Sequence, residues 1–154
     1  MMAFFPMYQR VRCGVLMALA GGAVAQAMTL WGGDLARFLP PLSIMLCAAF
    51  VGAGVAGFFL ADAFGRRGWG GIVWTALAWP LATAMGASLG AGLVGTASSP
   101  EPLASLPEAL TAGAPLGWMA VTDGITSSPA VALIWVVCGL AMHHGALAER
   151  AATS

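Results

Sequence analysis

The chain has neither lysine nor asparagine, and its six arginines and six acids make up only 8% of it. Soluble domains carry about 25% charged residues. So thin a supply cannot clothe the outside of a 154-residue globule in water, which excludes a soluble domain. Most of the outside must face lipid. Net charge is zero, so the basic footprint that nucleic-acid binding requires is missing too. Cysteine is scarce: Cys13, Cys47 and Cys138 lie in apolar stretches with no C-x-x-C pair, which argues against a disulfide framework or a zinc site. They read as small apolar packing residues.

What is abundant is apolar. Residues of the A, V, I, L, M, F, W, Y, C set make up 60% of the chain, against about 45–50% in soluble proteins with glycine included. A helix needs about 20 mostly apolar residues to cross the hydrocarbon core. Four stretches qualify: about 13–33, 41–61, 70–96 and 129–148. Pro40 and Pro41 suit a helix start, as do Ser128 as cap and Pro129 after it. Pro80 inside the third stretch predicts a bend, because its ring removes one backbone hydrogen bond. The first stretch also has the look of a secretory signal, with Ala23-Val24-Ala25 before Gln26. Its uncharged run is longer than a signal core of about 7–15 residues, so retention as a span is expected.

Cytoplasmic flanks collect Arg and Lys. With four spans, Arg10, Arg12, Arg66, Arg67 and Arg150 fall on one side and Arg37 alone on the other. Both termini are therefore expected in the cytoplasm. Both missing residue types have AT-rich codons, which points to a GC-rich bacterial genome and hence to a bacterial inner membrane. The expected outer loop, 97–128, holds Ser105 and Glu108 in a capping-box spacing with Gly113 as a stop. A short interfacial helix from about Leu106 to Ala112 is the expectation, followed by an apolar patch at Leu116, Trp118, Met119 and Val121.

Small residues recur every four positions. Gly14, Ala18 and Gly22 form such a stripe on the first span. Ala48, Gly52, Ala56 and, beside them, Ala49, Ala53, Gly57 lie on the second, and Ala82, Gly86, Gly90 on the third. Lipid offers helices no hydrophobic drive to associate, so close backbone approach at such stripes matters. Two stripes on the second span exceed what one neighbour requires, which predicts packing against several helices, in this chain or in a partner.

Ionisable groups are missing from the span interiors. Asp34, Asp62, Arg66 and Arg67 lie at span ends, and the internal polar residues are Gln26, Thr29, Ser43, Thr75, Thr83 and Ser88. That pattern argues against a proton path. His143 and His144 point about 100° apart on a helix, so they do not share a metal. They read as an interfacial polar pair. The inner loop Leu60-Ala61-Asp62-Ala63-Phe64-Gly65-Arg66-Arg67 resembles the G-x-L-x-D-x-x-G-R-R loop of major facilitator transporters. The likeness covers about ten residues, lacks the leading glycine (Phe58 stands there), and belongs to a family with far more spans. No transport function is carried over from it.

The expectation is an all-α integral membrane protein, residues 1–154 forming a single membrane domain. Four transmembrane helices are joined by loops, with a short interfacial helix between the third and fourth. Gly14, Ala18, Gly22, Ala49, Ala53, Gly57, Gly86 and Gly90 are its packing residues, and Asp62, Gly65, Arg66 and Arg67 its cytoplasmic loop. No catalytic, metal or cofactor site is expected. The lipid bilayer and other membrane subunits, or further copies of the chain, are the expected partners. The function expected is an accessory, assembly or scaffolding subunit of a larger bacterial inner-membrane complex. The alternative is a small oligomeric permease or channel for a small solute, its path between protomers and lined by Gln26, Thr29, Thr83 and Ser88.

Overall fold

The computed structural model describes residues 6–32, 41–97 and 106–152. Asp34, Arg37, Pro40, Glu101 and Ser105 lie outside the described residues. Five helices follow one another: α1 Met7–Trp31, α2 Leu42–Leu60, α3 Gly68–Ala97, α4 Leu106–Ser127 and α5 Pro129–Ala152. A single 3-10 turn, Ala61–Ala63, extends α2. There is no strand among the described residues. Four helices, all but α4, are long and apolar enough to cross a membrane, with mean hydropathies of 1.6, 2.3, 1.4 and 1.8 in chain order. The molecule is a multi-pass helical membrane bundle.

Local signals account for the helix ends. Pro6 is extended, and its carbonyl takes the amides of Gln9 and Arg10, so α1 begins six residues ahead of the expected span. It stops at Gly32, whose amide bonds Met28 O at 2.8 Å. The Pro41 carbonyl receives Met45 N–H at 3.0 Å and opens α2. Ser128 opens α5, its carbonyl accepting Ala132 N–H at 3.0 Å and its hydroxyl accepting Val131 N–H at 3.4 Å. At 30 residues α3 is about 45 Å long, more than the roughly 30 Å hydrocarbon layer requires. It continues as one helix through Pro80.

The segment between α3 and α5 differs from expectation. Its helix does not stop at Gly113 but runs for 22 residues, through Gly113 and Pro115. Tertiary contact overrides the local stop signal here. A Cβ on Gly113 would lie 2.6 Å from Gly92 N, and Gly117 sits against the carbonyl of Ala87. Both glycines let α4 press on the α3 backbone, which offsets their poor helix propensity. Pro115 points outward, where its ring has room. The hydroxyls of Thr111, Thr122, Thr126 and Ser127 all bond carbonyls of their own helix, so α4 needs little water to satisfy them.

Neighbouring spans run antiparallel. Gly14 meets Gly54 and Phe58 while Gly21 meets Ala49, so positions rise along α1 as they fall along α2. Gly52 meets Gly86, and Gly90 meets Ala48, in the same sense between α2 and α3. Each helix packs on the next in chain order and α5 returns to α1, which closes a ring. Size is distributed inside out. Small residues such as Ala56 and Ala82 are buried, whereas Val15, Leu19, Val55, Leu77, Leu133 and Val137 are exposed. In water such a surface would be an aggregation hazard; in a bilayer it is the solvated side.

Candidate functional site: the arginine end and the central chamber

Two features go beyond simple helix packing. The first is a knot at the end of the bundle that carries the paired arginines. Arg10 of α1 is bonded to the carboxylate of Asp62 in the turn after α2. Arg66 Nε donates to the backbone carbonyl of Asp62 at 3.1 Å. From the far end of the chain, Arg150 of α5 donates Nε to Phe64 O and a terminal nitrogen to Asp62 O, each at 3.1 Å. Arg12 and Glu149 add an ion pair at 2.5 Å. Phe64 is fully buried beneath this network. Gly65 has φ +70°, and any Cβ there would collide with the Ala146 backbone, so glycine is required twice over.

Of the four loop residues singled out in the sequence, the structure gathers Asp62, Gly65 and Arg66 into this knot. Arg67 lies outside it and is exposed. Arg66 stacks on Trp74, its guanidinium carbon 5.1 Å from the ring centroid. Arg150 and Arg10, read from sequence only as topology markers, are the residues that lock the loop. Nothing in their local sequence announces that role, because their partners lie 88 and 52 positions away.

The packing stripes are placed as follows. Gly14 and Ala18 face Gly54 on α2, and Gly22 lies under the ring of Phe50. Gly57 takes the Met17 side chain. Ala53 meets both Gly21 and Gly86, Ala49 meets Gly21, and Gly90 meets the Ala48 carbonyl. Both stripes of α2 are thus occupied within the chain, one by α1 and the other by α3.

The seam between α3 and α5 is polar. Thr75 Oγ1 and His143 Nδ1 lie 2.7 Å apart, both residues buried. His144 is exposed, its ring edge-on to that of His143 with centroids 5.7 Å apart. The expected polar pair thus has one member, a titratable side chain, inside the helical seam and the other on the surface. Two turns along, Thr83 Oγ1 donates to Trp79 O at 2.9 Å and accepts from Trp135 Nε1 at 3.0 Å. Trp79 lies over Gly139, which leaves room for its indole. Its buried Nε1 has no hydrogen-bond partner among the described residues.

Above these indoles the ring of helices borders the second feature, a half-open chamber of about 550 Å³. Every helix contributes to its wall: Met17 and Met28 from α1, Met45 and Ala53 from α2, Gly86 and Val94 from α3, Leu116 and Val121 from α4, Trp135 from α5. Of the four polar groups expected to line a path between protomers, Thr83 borders this chamber within the chain. Thr29 is bonded to Gln26 O and Ser88 to Ala114 O. Among the described residues no group of three or more His, Cys, Asp or Glu could hold a metal ion. No protein-family model, curated protein or solved structure matches the chain.

Proposed function

We propose that the protein is an accessory, assembly or scaffolding subunit of a larger membrane complex, with no chemistry of its own. It sits in a bacterial inner membrane with the arginine end and both termini on the cytoplasmic side. The observation that carries this reading is the bracing of the arginine end. Three separate parts of the chain (the start of α1, the turn after α2 and the end of α5) are tied there by charge-assisted bonds, which are the strong kind. A connecting loop of a membrane helix pair needs no such fixing. A surface that a partner must recognise does. Beside the knot, the exposed Arg67 and Trp69, the latter 80% exposed, present charge and an aromatic ring on a rigid base.

The small-residue stripes no longer argue for a partner, since α1 and α3 occupy them. For the permease alternative, Thr29, Thr83 and Ser88 each donate their hydroxyl to a protein carbonyl, which leaves them only as acceptors toward a passing solute. The test is gentle extraction from native membranes and purification of the wild type beside Arg67→Glu/Trp69→Ala. Val137→Leu, an exchange on an exposed side of α5 remote from the knot, is the control. A stoichiometric partner should accompany the wild type and the control and be lost from the double variant. A chain that purifies alone, or only with copies of itself, would overturn the subunit reading and favour the permease.

A further inference from the structure

We propose that the central chamber is a binding site for one hydrocarbon chain of a bilayer lipid, which enters beside α4 and ends against the paired indoles. Nothing in the proposed subunit role requires such a site.

Shape is the first argument. The chamber reaches from Trp79 to Gly95 along α3, a distance of about 24 Å at 1.5 Å per residue. A volume of about 550 Å³ stretched over that length describes a narrow slot. A slender extended chain fits it along its length. The size lies within the range of about 300–1,000 Å³ typical of ligand sites.

The wall chemistry is the second. A buried water needs two to four polar partners. The polar side-chain groups of the lining lie at one end: Thr83, already engaged as donor to Trp79 O and as acceptor from Trp135, and the Trp79 indole N–H, which offers a single donor at the floor and nothing along the rest of the slot. Water is therefore a poor occupant. An empty slot is no better, since wall atoms facing a void forfeit their dispersion contacts. In the hydrocarbon layer the surrounding medium is itself made of chains that fill such space. Methionines at Met17, Met28, Met45 and Met119 give the wall thioethers that adapt to a flexible guest.

Access is the third. Leu116 and Met119 line the chamber and are also 64% and 55% exposed. The α4 wall is thus where the slot meets its surroundings. The opposite end meets the paired indoles. Trp79 and Trp135, ring centroids 6.0 Å apart, stand at the floor, and the indole of Trp79 is bedded on Gly139.

The floor supplies its own reporter. A variant in which Trp31, Trp69, Trp74 and Trp118 are replaced by Phe keeps only Trp79 and Trp135. It is reconstituted in phosphatidylcholine vesicles, with and without bromine along one acyl chain. A chain in the slot brings bromine to the indoles, so most of their emission is lost in the brominated vesicles. Ala91→Phe plugs the slot from α3 and should restore that emission. Leu81→Phe, on an exposed part of α3 away from the slot, should not. Helix content and thermal unfolding in the same vesicles check the fold, and Val94→Phe replaces Ala91→Phe if the latter unfolds. Equal quenching in plugged and unplugged protein would assign the effect to surrounding lipid and overturn the proposal. Quenching by aqueous iodide instead would show a hydrated chamber, and quenching by neither would show a slot closed or filled by protein. Either result also overturns it.

Discussion

Two glycines in one loop separate the cost of a backbone conformation from the cost of a contact. Gly65 and Gly68 both adopt positive φ, +70° and +76°. A side chain at Gly65 would strike the Ala146 backbone, whereas nothing lies within 4 Å of the corresponding position at Gly68. Left-handed backbone costs an L residue about 1–2 kcal/mol. Gly68→Ala should lose about that much stability, and Gly65→Ala clearly more, because α5 must move to admit the methyl. Thermal unfolding of both variants in one detergent measures the difference. Equal losses would mean that the loop does not bear on α5. The turn glycine itself is legible in the sequence, since an Asp, a glycine and two arginines mark a tight inner loop. Its second constraint is not, because Ala146 is 81 positions away.

At the scale of elements, the small stripes give α2 its place between α1 and α3. Gly57 receives Met17 of α1, and forcing bulk into a packed site typically costs about 1–3 kcal/mol. Gly57→Leu should therefore loosen α1 from α2 within the chain and lower the unfolding temperature of the isolated protein. Val51→Leu, on an exposed part of the same helix, should leave it unchanged. Matching unfolding temperatures for the two variants would reduce the stripe to mere composition. Phe50 is unsuitable as a lipid-facing control, because its ring covers Gly22 although the residue is 39% exposed. Helix α4 shows where local reading stops. Gly113 is a sound stop signal taken singly, yet contact with α3 carries the helix past it and on through Pro115. Ser128 and Pro129 succeed as a start signal for α5 because capping is settled within one turn.

For the whole molecule, the ion pair Arg12–Glu149 and the bonds from Arg150 to the inner loop put the first and last helices at one end of the bundle. Reporter fusions after Ser154 and within 98–105 should therefore report opposite sides of the membrane, and the proposed orientation makes the former the cytoplasmic one. Both on one side would break the even-spanning topology. The closed ring also explains how a chain so rich in Ala and Gly borders a chamber. Small residues bring neighbouring backbones together around the rim, while the gap between α3 and α5 is bridged by Trp79 over Gly139, by Trp135 bonded to Thr83 and by the Thr75–His143 pair.

Membrane residence, the number of apolar helices and the clustering of arginines were all determined by the sequence alone. They follow from the transfer of side chains between water and hydrocarbon, which sums over residues and needs no knowledge of neighbours. Only the tertiary structure decided that α4 is long, that Arg150 clamps the inner loop, that His143 pairs with Thr75, and that five helices leave a slot between them. Each of these depends on two distant segments meeting in one register. A pairing of that kind is a property of packing, in which a shift of a single residue exchanges every partner, and no local pattern encodes it.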